Sequence, residues 1–366
     1  MLVLQDPTNE QGPYLLESLT HAFRSARQIG GIFAFASSPG VRLFAADEEF
    51  REVARKGSVD LIVGTDAVTN VRALDALANV ARQFPTITVR AFLNPKPEGL
   101  FHPKFCFTKK QGGGHLIAGS GNLTEGGLLG NWEAYSVDEL NDQGIADVQA
   151  TWDNWTTKHE QWLLPLDDVR VRERASLNHV MAREGDLPTL VASTTATEDE
   201  PETTQLMPNN AVVLIAEIPA SRDRWKQANF DLDNYRNFFG AREDVADRLV
   251  IFRHVNANGT MADYERNRPP VTVKSRNFRF ELAAASGIPY PTNGRPIGVF
   301  VRMVGRTFFY RLLLPGDAEY DNVRRILERR AGPNHPSDRM RRERATVEEL
   351  RREWPTSPLW RLPATA

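Results

Sequence analysis

His102 and Lys104 stand two apart in the run FHPKFCFTKKQGGGHLIAGSGNLTEGGLLGNWEAYS, residues 101–136. On an extended strand that spacing puts both side chains on one face, with Pro103 on the other. After the Gly-rich turn at 112–114, a second strand over 115–118 leads into Gly119, Ser120, Gly121 and Asn122, so that Ser120 and Asn122 share a face. A third strand, 132–137, carries Glu133. Imidazole, ammonium, hydroxyl, amide and carboxylate on successive short strands suit phosphodiester chemistry. A neutral imidazole can attack an anionic phosphorus near neutral pH. Lysine and amide donors can hold the non-bridging oxygens as charge builds on them. Alone, His102 reads as a core histidine and GSGN as a turn; their combination with Glu133 points to a site.

The series HxK, GSxN and a later glutamate resembles the signature of the phospholipase D superfamily. The superfamily pattern has an aspartate where this chain has Lys109. In that departure the chain is similar to the metal-independent restriction endonucleases of the BfiI and NgoFVII type, which share HxK, SGN and NxEAS. These are matched here by His102 and Lys104, by Ser120 and Asn122, and by Asn131, Glu133, Ala134 and Ser136. The resemblance implies a covalent phosphohistidine on His102, with a second histidine protonating the leaving oxygen. It gives Lys104 and Asn122 the phosphate oxygens, Ser120 a donor role, and Glu133 the Nδ1 proton of a histidine. No cofactor is implied and no metal; the sequence holds no HxxE, HxH or HExxH cluster. His21, His115, His159, His179, His254 and His335 all lack a lysine two residues later. The implied site is therefore shared by two copies of the chain, a homodimer through the N-terminal domain. The implied substrate is double-stranded DNA, and some members of the class work with an ATP-dependent translocase.

At 366 residues the chain has room for two domains with separate cores. It contains no apolar run of membrane-spanning length, and its N-terminus lacks a basic-then-apolar signal, so a cytoplasmic protein with no membrane contact is expected. The single cysteine, Cys106, excludes an internal disulfide or a Cys-cluster metal site and reads as a small packed hydrophobe between Phe105 and Phe107. Charge is uneven. Residues 1–165 hold 14 basic and 19 acidic side chains, 166–209 hold 4 and 9, and 210–366 hold 27 and 19. A basic back half is an electrostatic match for a polyanion.

The first 165 residues alternate between apolar runs and amphipathic stretches: a helix at 15–27, a strand at 31–36, a strand at 59–63, a helix at 71–84 and a strand at 86–92. This is the order of an α/β domain with a mixed sheet flanked by helices, here phospholipase D-like by resemblance. Residues 145–185 read as helical. Residues 166–210 form a helical and acidic linker, rich in Thr, Glu and Pro over its second half. Residues 211–366 form a mostly-β domain, with strands at 212–218, 249–254, 271–274, 278–282, 297–304 and 307–314, then a basic helical tail from Asp321. The aromatic-rich segments 229–240 and 277–283 resemble the plant-type pseudobarrel recognition domain of the same restriction enzymes. The basic residues expected on DNA are Arg222, Arg224, Lys226, Arg236, Arg266, Arg268, Lys274 and Arg276.

The expectation is a restriction-type, site-specific deoxyribonuclease. The alternatives are a phospholipase D-like phospholipid hydrolase and a non-catalytic DNA-binding protein that keeps a relic of the site. Glu198, Asp199, Glu200 and Glu202 form an acidic stretch that could occupy a phosphate-binding cleft as a substrate mimic.

Overall fold

The computed structural model describes residues 1–9, 11–96, 98–178, 204–220, 225–242, 245, 248–268 and 278–363. Described residues up to 178 fall in one compact unit and those from 204 in a second.

The first unit contains β1 (Leu2–Gln5), α1 (Leu15–Phe23), β2 (Gln28–Phe33), α2 (Ser38–Ala45), α3 (Glu48–Lys56), β3 (Ser58–Gly64), α4 (Val71–Gln83) and β4 (Ile87–Phe92). It continues with β5 (Lys104–Lys110), β6 (Gly113–Gly119), β7 (Glu133–Leu140), α5 (Asp142–Lys158), β8 (Leu163–Pro165) and α6 (Val169–Ser176). The eight strands form one sheet in the order β1-β7-β6-β5-β2-β3-β4-β8. Strands β2, β3 and β4 are parallel and every other pairing is antiparallel, which gives the expected mixed α/β sheet. Side-chain alternation sorts the sheet into two faces. Helix α5, capped by Asn141 on the Gly144 N–H, lays Ile145 and Trp152 against Ile32, Ile62, Phe92 and Phe107 on one face. Helix α1 brings Leu15 and Leu19 toward Cys106 and Ile117 on the other.

Several expectations are corrected. Helices α2 and α3 were not read from the sequence. Ser37, Ser38 and Pro39 looked like the stop of a strand, yet the Ser37 hydroxyl caps the Gly40 N–H and Pro39 sits in the first helical turn, where its missing N–H costs nothing. The helix expected over 145–185 ends at Lys158, and the chain then adds β8 at the sheet edge. Residues 166–178, expected as connector, belong to the first unit. In α6, Val171 and Ala175 are buried, Arg172 pairs with Asp75, and just beyond it Asn178 donates to the carbonyls of Thr65 and Thr69.

The second unit contains β9 (Thr204–Leu206), β10 (Val212–Glu217), β11 (Gln227–Phe230), β12 (Val250–Val255), β13 (Met261–Asn267), β14 (Phe278–Glu281), β15 (Ile297–Arg302) and β16 (Thr307–Leu313). After these come α7 (Tyr320–Ala331), β17 (Arg342–Thr346), α8 (Val347–Glu353) and β18 (Arg361–Pro363). Its main sheet runs β13-β12-β16-β15-β10-β17, with β11 paired to β14 and β9 to β18. Both faces are buried. Val213, Ile215, Val299 and Val301 pack with Val323, Ile326 and Trp354 on one side, while Leu214, Phe252, Phe300 and Tyr310 pack with Phe230, Phe239 and Phe280 on the other. The mostly-β expectation matches this sheet; the expected strand at 271–274 lies outside the described residues. The tail is not wholly helical. Its RMRRER stretch enters the sheet as β17 beside β10, where Arg341 pairs with Glu217, Arg342 with Asp231 and Arg344 with Asp233.

Candidate active site

All five expected catalytic residues of the first unit gather at one end of the sheet, but at strand ends and not along a strand face. His102 precedes β5, which begins at Lys104; β6 stops at Gly119, before Ser120; Glu133 opens β7. The shared strand face expected for Ser120 and Asn122 is therefore absent, and the reason lies in the topology. Ser120 still holds β7, through Ser120 N–H to Ala134 O at 2.9 Å. Three residues later, Leu123 bridges Ala36 and its N–H donates to Phe35 O at 3.0 Å, on the continuation of β2. Because β5 lies between β6 and β2 in the sheet, residues 121 and 122 must cross over the end of β5 that carries Lys104. Glycine makes that crossing tight. A Cβ on Gly121 would lie 2.3 Å from Leu15 Cδ2, and one on Gly127, in the helical turn below, 2.6 Å from Asn122 N and O.

Each side chain has a defined partner. The Phe35 N–H donates to Asn122 Oδ1 at 3.1 Å, which leaves the Asn122 NH2 group as the outward donor. Lys104 is 9% exposed, and its Nζ donates to the carbonyl of His102 at 3.0 Å. Ser120 Oγ donates to Glu133 Oε2 and accepts from the Ala134 N–H at 3.0 Å, while Asn131 Nδ2 reaches Glu133 Oε1 at 3.4 Å. The expected Glu133 to histidine bond is replaced, within one chain, by this bond to serine. Strand β6 separates β7 from β5, so the carboxylate meets the end of β6 first. His102 lies edge-on to Phe35, with ring centroids 5.6 Å apart.

His102 is exposed, yet partial desolvation, and then the Lys104 ammonium, hold it below the usual imidazole range, which favours the neutral nucleophile. Burial also lowers Lys104, against the opposing pull of Glu133. Cys106, fully buried behind the site, is pushed up to about 12 by burial and stays a thiol. His115 is buried and shares contacts with Thr108 and His21, a structural setting. Lys109 is exposed on β5, paired with Gln28 and Gly114 in the sheet register.

Sequence reading missed two supports. Phe35, taken as one residue of an apolar strand, fixes Asn122 by its backbone and His102 by its ring. Asp66, just past β3, accepts from the Phe101 N–H at 2.8 Å and from Asn94 Nδ2 at 2.9 Å, which anchors the loop that delivers His102. Beside His102 a cleft of about 780 Å³ opens between α5 and the sheet, walled mostly by apolar and aromatic side chains. Among the described residues no group of three or more His, Cys, Asp or Glu side chains is placed to hold a metal, and no helix is long and apolar enough to cross a membrane.

The expected DNA contacts are only partly placed. Lys226 lies 4.0 Å from Glu281, Arg236 is in a helical turn over Asn234–Phe238, and Arg266 and Arg268 lie at the end of β13 and just beyond it. Arg222, Arg224, Lys274 and Arg276 lie outside the described residues, as do Glu198, Asp199, Glu200 and Glu202. Much of the basic charge of this unit is structural. Glu217 holds both Arg295 and Arg341 at 2.9 Å, and Arg311 pairs with Glu319 at 2.8 Å.

No family model matches the chain, and no curated protein matches it. Among solved structures, a phospholipase D family member, Nuc from Salmonella typhimurium, is 16% identical over 44% of this chain and 94% of its own, with a TM-score of 0.32. NucT from Helicobacter pylori is 15% identical over 45% of this chain and 98% of its own, also with a TM-score of 0.32. Yeast tyrosyl-DNA phosphodiesterase is 10% identical over 69% of this chain and 52% of its own, with a TM-score of 0.27.

Proposed function

We propose that the first unit hydrolyses phosphodiester bonds of DNA, with His102 as nucleophile. The observation that carries this reading is the convergence of Lys104, Asn122 and the Ser120 and Glu133 pair around a histidine held toward its neutral form. A ring nitrogen of His102 attacks phosphorus, a P–N bond forms and the P–O bond to the leaving group breaks. The leaving oxygen takes its proton from a second imidazole. Water then attacks the phosphohistidine, gives a proton to that second imidazole, and the P–N bond breaks to restore His102. Lys104 Nζ and the Asn122 NH2 group meet the charge on the non-bridging oxygens.

The second imidazole is the partner subunit's His102. An apolar face beside the site supports a dimer: Leu2 and Leu4, opposite Ser136 and Ala134, and Trp132 are all more than two-thirds exposed. The second unit, whose sheet we read as a pseudobarrel, supplies sequence recognition through Lys226, Arg236, Arg266 and Arg268, making the whole a restriction-type endonuclease. Digestion of long DNA in EDTA tests the reading: discrete fragments without a divalent metal are expected, and intact DNA under all conditions would overturn it.

A further inference from the structure

The cleft beside His102 is more than a gap under a helix. Four aromatic rings, Phe92, Phe101, Trp155 and His159, stand along its wall. Phe92 and Phe101 are stacked at 4.2 Å and 23°, Trp155 and His159 at 4.7 Å and 28°, and Phe101 meets Trp155 at 6.1 Å and 33°. Such a row presents flat π surfaces that a further planar ring can extend. Trp155 is only partly buried, and Asp147, Thr151 and His159 put polar atoms along an otherwise apolar wall. His102 and Lys104 are themselves part of that wall, which puts the cleft directly beside the proposed nucleophile. The volume, about 780 Å³, is that of an ordinary small-ligand pocket.

We infer that this cleft is a nucleobase subsite: it takes the base next to the scissile phosphate, unpaired and unstacked, against the partly exposed Trp155. A base inside such a cleft cannot remain paired within a duplex, so the preferred substrate is single-stranded or locally opened beside the cut. Apolar and aromatic walls, with few hydrogen-bonding groups, favour stacking over readout of base identity. The inference rests on the phosphodiesterase reading above and goes beyond it in naming the substrate class.

The test uses the full chain and two single-stranded polymers of equal length, oligo-dT and an abasic polymer with tetrahydrofuran in place of each nucleoside. Wild type is expected to cleave oligo-dT with a kcat/KM about tenfold or more above the abasic polymer, the scale of one stacked base. Trp155→Ala should erase that preference; Trp155→Leu, which keeps apolar volume, should do the same if alanine disturbs folding. Equal cleavage of both polymers by wild type, or a preference that survives both variants, overturns the subsite. Loss of dimerisation in Trp155→Leu would give the cleft to a second copy of the chain and also overturn it. If neither polymer is cut while long duplex DNA is, the hydrolytic reading stands, whereas long DNA left intact as well would overturn it. The subsite is then judged by binding: 2-aminopurine in a single strand should be quenched by wild type and not by Trp155→Leu, and no quenching by wild type rejects it.

Discussion

Ser120 Oγ stands between the carboxylate of Glu133, to which it donates, and the Ala134 N–H, from which it accepts at 3.0 Å. The hydroxyl proton is thus committed to Glu133 and the lone pair to the backbone. Ser120 acts here as a strut that ties the end of β6 to the start of β7 and aims the carboxylate at the Lys104 side of the site. Ser120→Ala removes both bonds and leaves Glu133 with Asn131 alone. Activity on DNA should fall about tenfold or more, the scale of one hydrogen bond to a charged group, with the fold kept as judged by circular dichroism.

Asn122→Asp separates geometry from chemistry. One aspartate oxygen can still accept from the Phe35 N–H, so the crossing over β5 should hold and the melting temperature should stay near wild type. The other oxygen replaces an outward donor with a negative charge facing phosphate. A loss in kcat of about a hundredfold is expected from the missing transition-state donor.

The His102 proton gives a pH signature. Its folded value is depressed by partial desolvation and then by Lys104, so the acid limb of kcat/KM should lie below the usual imidazole value of 6.5. Removing the lysine charge removes one of the two causes. Lys104→Met should raise the His102 value, read by NMR titration of its ring protons. A value unchanged or lowered in Lys104→Met would contradict the stated coupling.

Glu217 offers a test in the second unit. Burial would raise its carboxyl, yet bonds from the Arg341 N–H and the Arg295 and Arg341 side chains outweigh burial and hold it below the usual range. A depressed carboxyl contributes stability above its unfolded value, and that contribution is lost as pH falls through the folded value. Acid should therefore weaken this unit from about pH 4.5 downward. Glu217→Gln, which leaves two partly exposed arginines without their shared carboxylate, should cost about 1–3 kcal/mol in urea unfolding at neutral pH, the scale of lost hydrogen bonds to a charged group.

The clustering of the candidate residues was legible in the sequence because residue type and spacing survive translation into structure: His102, Lys104, Ser120, Asn122 and Glu133 do gather at one end of the sheet. Their placement on strand faces was not legible. A strand reading extrapolates period-two alternation, and it could not register that Leu123 leaves β6 to bridge Ala36, a contact between residues 87 positions apart. The same limit hid Phe35 and Asp66, whose roles depend on hydrogen bonds with loop residues distant in sequence, Asn122 and Phe101. In the second unit, alternating apolar and aromatic runs revealed β10, β12, β14, β15 and β16, but β17 looked helical because its arginines gave no apolar alternation. Its partners on β10 and at Asp231 and Asp233 decide the matter by pairing.

The account stands on a covalent bond between His102 and phosphate, and that bond can be sought directly. DNA labelled at its phosphates is mixed with the full chain in EDTA, denatured within the first turnover, digested with protease and mapped by mass spectrometry under alkaline conditions that preserve phosphoramidates. The account predicts label on the peptide containing His102, absent from His102→Ala. Cleaved DNA with no labelled peptide, or cleavage by His102→Ala at the wild-type rate, would contradict it.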